Sequence, residues 1–304
     1  MEANHQTLNQ HADVLYYIQE KFDEVLGGIE EEEVVPPPPP PSEPKTKGRS
    51  LKEAMSLLKE KRQQDCKAGL LKGETYKLAL ERVKKCLVEF SSDSLRIDSP
   101  EGLHIYSPKF AAMLTNIQNA SGSSLVYSQF LDMEGIGIFR LCMDANGYAP
   151  IEITMTSSGP RFSELTEKSL RKGSLQPRYI TFSGAEKEDV RRLALDVFNA
   201  RFNELPESLS KVLLESGFKD NDNKRGQICR VFCITSAGAE GLSLKNVRAV
   251  HIMEPYWNDI RLKQVKGRAI RIGSHLDLPK EDQNVSIFTY VSCFNEKAQV
   301  AKAG

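Results

Sequence analysis

From about residue 100 onward, short apolar runs alternate with longer amphipathic stretches, and this alternation limits the fold more than any other feature. The runs cover 124–128 (SLVYS), 179–183 (YITFS), 231–235 (VFCIT), 249–253 (AVHIM) and 285–291 (VSIFTYV). Such runs suit strands covered on both faces, where β-branched and aromatic side chains pack and no polar face is needed. Between them, helical spacing recurs over 107–119, 130–146, 186–201, 238–244 and 257–271. Strands separated by helices pair in parallel, because no tight turn can join two parallel neighbours. The sequence therefore predicts an α/β domain, a parallel sheet with helices on both faces. The polar, Gly/Ser-containing stretch 147–176 predicts a long insertion or mobile loop.

The first third has a different texture. Val14, Ile18, Phe22 and Val25 are spaced for a short amphipathic helix within a 1–26 arm. Gly27-Gly28 ends it, and Glu30 to Glu33 and Pro36 to Pro41 follow. Like charges repel and proline cannot join a ladder, so 27–48 is expected to be an extended, flexible linker. Residues 49–95 return to helical spacing, with Leu51, Met55 and Leu58 on one face and Tyr76, Leu80, Val83 and Leu87 on another. These read as basic amphipathic helices forming a connector to a domain at 96–304. Residues 1–45 hold ten acids and two bases, while 46–90 hold twelve bases and six acids. The whole chain balances at 41 of each sign, so net charge gives no overall pull towards nucleic acid.

Several functions lack the residues they need. The six cysteines are scattered, and only Cys229 and Cys233 lie close, without the second pair or nearby histidine of a zinc set. His104, His251 and His275 suggest structural or surface roles. No apolar run reaches the ~18 residues of a membrane span, and the N-terminus lacks a signal-peptide core. The expectation is a soluble, intracellular protein that is not secreted. Asp23-Glu24 follows no buried strand and so does not read as an ATPase acidic pair.

In open parallel sheets ligands gather at the carboxyl ends of strands. Three stretches carry suggestive chemistry there. One is Gly184, Arg191 and Phe198-Asn199 after YITFS. A second is Thr235-Ser-Ala-Gly-Ala-Glu-Gly-Leu242, whose small residues would open a helix and expose backbone N–H groups to a phosphate. The third is QVKGRAIR (264–271), where Arg268 and Arg271 would share a helical face behind Gly267. Guanidinium forks suit phosphoryl oxygens, although a solvated helix face could carry the same pair.

Taken together, YITFSGAEKEDVRRLALDVFN, ITSAGAEGLSL, EPYWN and QVKGRAIRIG resemble, in order and spacing, the motifs of the C-terminal RecA-like lobe of superfamily 2 helicases, especially the Snf2-like branch. SPKFAAMLTNI and SLVYSQF resemble the opening of that lobe. QFLDMEG and VRAVHIMEPYWN look most like helicases of large cytoplasmic DNA viruses that work in early transcription, which would place the protein in host cytoplasm or virion. The resemblance spans about residues 100–293.

The resemblance implies roles for matched positions. Arg271 would be an arginine finger on the γ-phosphate of ATP, with Arg268 its partner and Gln264 positioning the arginines or the attacking water. Gly267, Glu240 and Gly241 would border the nucleotide. Thr235, Ser236 and Gly238 would touch the nucleic-acid backbone, with Ser128, Gln129 and Gly184 beside them. Glu254 and Trp257 lie in the joining segment. ATP and Mg²⁺ would be the cofactors, and DNA or RNA and viral transcription machinery the partners. The sequence contains no G-x-x-x-x-G-K-[ST] loop, and GLLKGET has neither its spacing nor its ending. The expectation is thus the C-terminal part of a split, truncated or fragmentary helicase, completed by an N-terminal lobe on another chain or a missing segment. The other reading is a solitary lobe that binds nucleic acid or a transcription partner without turnover. An unrelated small-molecule α/β enzyme lacks a nucleophile–base pair.

Overall fold

A computed structural model describes residues 75–133, 135–184, 186–235, 242–255, 259–271 and 273–292, with Ser56, Glu60, Lys61 and Gln64. The expected arm, the linker and most of the basic connector lie outside the described residues. The chain divides between Ser92 and Asp93. Before that point, helix α1 (Tyr76–Phe90) is capped by Thr75, whose hydroxyl accepts the Leu78 N–H at 3.4 Å.

After it come α2 (Leu103–Tyr106), α3 (Pro108–Asn119), β1 (Ser123–Ser128), α4 (Ile136–Ala145), β2 (Ala149–Pro150), β3 (Ile153–Thr156), β4 (Gly159–Phe162), α5 (Glu164–Leu170), β5 (Arg178–Phe182), α6 (Glu188–Phe198), α7 (Glu207–Glu215), β6 (Val231–Thr235), β7 (Val247–Ile252), α8 (Asp259–Ala269) and β8 (Ser286–Thr289). Six strands form one sheet in the order β2-β5-β6-β1-β7-β8, and every pairing is parallel. The chain leaves β6 on one flank of β1 and returns as β7 on the other, so the strand order switches there.

The central strands β1, β6 and β7 are buried at every position, as two covered faces require. Leu125, Tyr127, Phe232, Ile234, Val250 and Ile252 join one apolar cluster with Leu193, Val197 and Phe198 of α6 and Val265 and Ala269 of α8. The intervening Val126, Cys233 and His251 point to the other face. There Asn116 of α3 donates to the Tyr290 hydroxyl at 2.9 Å, and His251 Nδ1 lies 2.9 Å from that same oxygen. Burial drives the His251 ring down to about 3, so it is a neutral core residue stacked on Phe288.

The structure departs from the sequence expectation in places. Residues 147–176 are not a loop: they hold β2, the antiparallel β3–β4 hairpin and α5. Ile151, Ile153, Phe162 and Leu170 belong to the main apolar cluster, and Gly159 turns the hairpin at φ +106°. The helix expected over 130–146 starts only at Ile136. Gly135 N–H and Gly137 N–H both bond the Asp132 carbonyl, which keeps the preceding residues in a turn. Residues 242–244 are not helical, and the rest of that expected helix, 238–241, lies outside the described residues.

Candidate functional site

The carboxyl edge brings together the ends of β1, β5, β6 and β7. Ser128 stands opposite Thr235 in the β1–β6 register, and both are buried. Glu254, two residues past β7, grips the end of β1: its carboxylate accepts the Ser128 hydroxyl at 2.9 Å and the Gln129 N–H at 3.2 Å. Ser128 Oγ also accepts the Phe130 N–H at 3.0 Å. A Cβ on Gly135 would stand 2.5 Å from that Ser128 oxygen and 2.3 Å from the Phe130 carbonyl, so only glycine allows the turn to fold over Ser128. Burial raises the Glu254 carboxyl above its ordinary range, against the pull of Gln129, Ser128 and Lys109. Burial likewise lowers Lys109, with Glu254 acting in the opposite direction.

At the end of β5, Glu186 accepts the Ser183 N–H at 2.8 Å and its hydroxyl at 2.6 Å, leaving Gly184 exposed at the tip of the turn. Arg191 lies over the Phe182 ring at 5.9 Å. Its Nε is buried and finds no hydrogen-bond partner among the described residues. Ser236, Gly238, Glu240, Gly241 and Trp257 lie outside the described residues. Just before β7, Asn199 fastens the chain, donating to the Ser243 carbonyl and accepting the Lys245 N–H, each at 2.9 Å.

The arginines stand elsewhere. Gln264, Gly267 and Arg268 are on α8, which ends at Ala269, so Arg271 lies past the helix rather than one turn along its face. A crossover helix runs antiparallel to its strand. The end of α8 accordingly returns towards the start of β7, where Leu244 N–H donates to the Arg268 carbonyl at 3.4 Å. The stretches expected at one edge thus separate, with Arg268 beside Leu244 just before β7 and away from the ends of β5 and β6. Arg271 and Gln264 are exposed, and Arg268 is half-buried with its Nε unpartnered among the described residues. Among the described residues neither guanidinium has a carboxylate within ion-pair distance. A Cβ at Gly267 would meet no described atom within 4 Å, so packing among the described residues gives no reason for a glycine there.

Sequence reasoning left out the Glu254–Ser128 grip, because the partners are 126 residues apart and only the sheet joins them. It named Asn199 without its partners, which lie 44 and 46 residues on.

A parallel sheet with this strand switch and an arginine-bearing helix end has the features that the sequence resemblance to helicase C-terminal lobes implies. Residues 170–273 match the helicase conserved C-terminal domain. It is 34% identical over 197 residues to the termination factor NPH-I homolog of African swine fever virus, covering 63% of this chain and 26% of that protein. A putative ATP-dependent RNA helicase of Acanthamoeba polyphaga mimivirus is 32% identical over 187 residues, 62% of this chain and 26% of the relative. This chain thus spans about a quarter of the length of these relatives. Among solved structures, the C-terminal part of the Fun30 ATPase domain aligns with a TM-score of 0.37 and 16% identity, over 64% of this chain and 44% of the other. No helix among the described residues is long and apolar enough to cross a membrane.

Proposed function

We propose that this lobe is one half of an ATP-driven nucleic-acid motor of the viral transcription type, working against a lobe that holds the nucleotide. The observation that carries this reading is the pair Arg268 and Arg271, two cations without a carboxylate partner among the described residues, beside a helix glycine that no described residue requires. Arg271 is the finger that meets charge developing on the γ-phosphoryl group, Arg268 supports it, and Gln264 orients the arginines or the water. Gly267, with Glu240 and Gly241, borders the nucleotide. Thr235, Ser236 and Gly238 contact the nucleic-acid backbone, with Gly184 and Gln129 beside them. Ser128 is committed to Glu254, so its part is to hold the end of β1 in place. The described residues offer no group of three metal-binding side chains. The Mg²⁺ ligands therefore come with the nucleotide and the other lobe, while this lobe supplies phosphate donors.

The test joins this chain, by fusion or mixing, to a lobe bearing a Walker A loop. Arg271→Ala should lower kcat by roughly 10³-fold or more, with ATP affinity moving far less, because the finger acts mainly on the transition state. Arg271→Lys should not restore turnover, since an ammonium lacks the fork. Unchanged kcat in Arg271→Ala returns QVKGRAIR to a solvated helix end.

A further inference from the structure

Strand β2 lies beyond β5 at one margin of the sheet and covers only the first part of that neighbour. The Ala149 and Ile151 N–H groups donate to the Pro177 and Tyr179 carbonyls at 3.0 and 2.8 Å, and the pairing stops there. The chain is then drawn off towards α5. The Thr166 hydroxyl accepts the Glu152 N–H at 2.9 Å, and the Glu152 carbonyl accepts the Ser163 N–H at 3.0 Å. A strand turns the backbone groups of alternate residues to the same side, so the N–H and C=O of Thr181 face the edge that β2 has left. Neither has a partner among the described residues. The Thr181 hydroxyl oxygen is buried and unpartnered among them as well.

An unpaired edge alone is merely a surface that folds tend to blunt with charges or short strands. Here the edge opens onto a cavity of about 230 Å³. Arg140 of α4 lines it from one face of the sheet, and Val190 and Ala194 of α6 line it from the other, so the edge of β5 runs between its walls. Ile153 adds to the apolar wall, and Glu152 and Glu186 bring two carboxylates against the one guanidinium. Arg140 faces Glu152 at 3.6 Å, which leaves one negative charge in excess. Sites for whole small molecules usually hold about 300–1,000 Å³, so this cavity has the size of an anchored side chain rather than of a nucleotide. A free donor and acceptor on a strand edge are what an added strand takes up. Successive residues of that strand point to opposite faces, an aliphatic one to the α6 wall and the next, a basic one, to the carboxylates.

We infer that the edge of β5 at Thr181 is a docking groove for an extended segment of a partner protein. The segment adds as a strand, seats an aliphatic side chain on Val190 and Ala194, and turns an adjacent lysine or arginine towards Glu152 and Glu186. None of these residues has a part in the proposed motor, so the two readings fail separately.

Fluorescence anisotropy on the full chain provides the test, with a capped, fluorescein-labelled octapeptide of alternating valine and lysine as probe. Saturable binding is expected, and hydrogen exchange should slow in the region 178–184 when the probe is added. The same peptide with glutamate in place of lysine should bind at least about tenfold more weakly, the scale of one charged contact. Methylating the backbone nitrogens of the probe removes its strand-pairing donors and should abolish binding. Glu152→Lys should reverse the preference between the two peptides, and Val190→Arg, which fills the cavity, should abolish binding of both. Absent saturation, undiminished binding of the methylated probe, or slowing that falls outside 178–184 overturns the inference. Protection of 178–184 that grows with protein concentration in the absence of probe puts a second copy of this chain in the groove and overturns the assignment to a partner protein. If Val190→Arg loosens the whole domain, seen as faster exchange everywhere without probe, Glu152→Lys decides, because its side chain is exposed: a reversed preference supports the groove and an unreversed one overturns it.

Discussion

Gly267 shows at single-residue scale how a position can work against the stability of its own fold. A glycine inside a helix costs about 0.5–1 kcal/mol relative to alanine, and a Cβ here meets no described atom within 4 Å. Gly267→Ala should therefore raise stability in urea unfolding by up to about 1 kcal/mol, while lowering turnover of the lobe pair. A fall in stability would mean that the site is more crowded than it looks. Glu254 gives a pH signature. Its folded-state carboxyl is raised by burial, so the folded protein holds a proton that the unfolded chain releases, and stability falls as pH rises from the ordinary glutamate range towards the raised value. Glu254→Gln removes that term. Urea unfolding across about pH 4–8 should show the wild type losing ground to the variant as pH rises; parallel curves would contradict the shift. Arg178 is a different kind of residue, buried beneath the insertion, with its guanidinium donating to the carbonyls of Ile228, Ser169, Gly173 and Gln227. Burial lowers it to about 10, so it remains charged at neutral pH. Arg178→Met leaves buried carbonyls unpaired and should cost about 3 kcal/mol or more in the same assay. Gln264, Gly267, Arg268 and Arg271 were legible as a spacing, because one helix and the turn after it carry them. The neighbours of Glu254 and Arg178 were not, because tertiary folding alone assembles them.

At the scale of elements, strands were easier to read than what lies between them. A strand buried on both faces announces itself as an apolar run, and the five runs read from the sequence became β1, β5, β6, β7 and β8. The missed strand, β2, is two residues long and contains Pro150, too little to make a run. The β3–β4 hairpin was missed for a related reason. Its exposed positions are Thr154, Met155, Thr156 and Arg161, and the two buried ones, Ile153 and Phe162, sit at opposite ends. Polar residues dominate the string while the apolar ones do the anchoring. The insertion is consequently part of the core, and Phe162→Ala should destabilise the domain by about 3–5 kcal/mol, the usual cost of emptying a buried aromatic site. A loss below about 1 kcal/mol, the scale of a surface substitution, would restore the loop reading. The ends of α8 and α4 were placed wrongly because periodicity continues through residues whose backbone has already turned away. Ser274 and Gly135 decide those ends, one by hydrogen bonding and one by allowing close approach.

On the scale of the whole molecule, the division of labour follows from which groups the chain has. Its sheet presents a strand switch and the helix after β7 brings two arginines, yet the sequence holds no G-x-x-x-x-G-K-[ST] loop to cradle a triphosphate. An arginine that stabilises a transition state does little for a nucleotide held nowhere, because the gain appears only once the reacting groups are in place. The 304-residue chain alone should therefore release no phosphate from ATP above a chain carrying Arg268→Ala and Arg271→Ala, with or without single-stranded nucleic acid. Supplying a Walker A-bearing lobe should create turnover that depends on both arginines and rises with added nucleic acid. The response to nucleic acid should be weakened by Ser236→Ala more than basal turnover is, because that residue belongs to the proposed backbone contact and not to the phosphate. Steady-state phosphate release across ATP concentration, with and without the second lobe, separates these cases. Arginine-dependent turnover by the chain alone would mean that it holds the nucleotide itself, and the phosphate cradle would then have to be sought within these 304 residues.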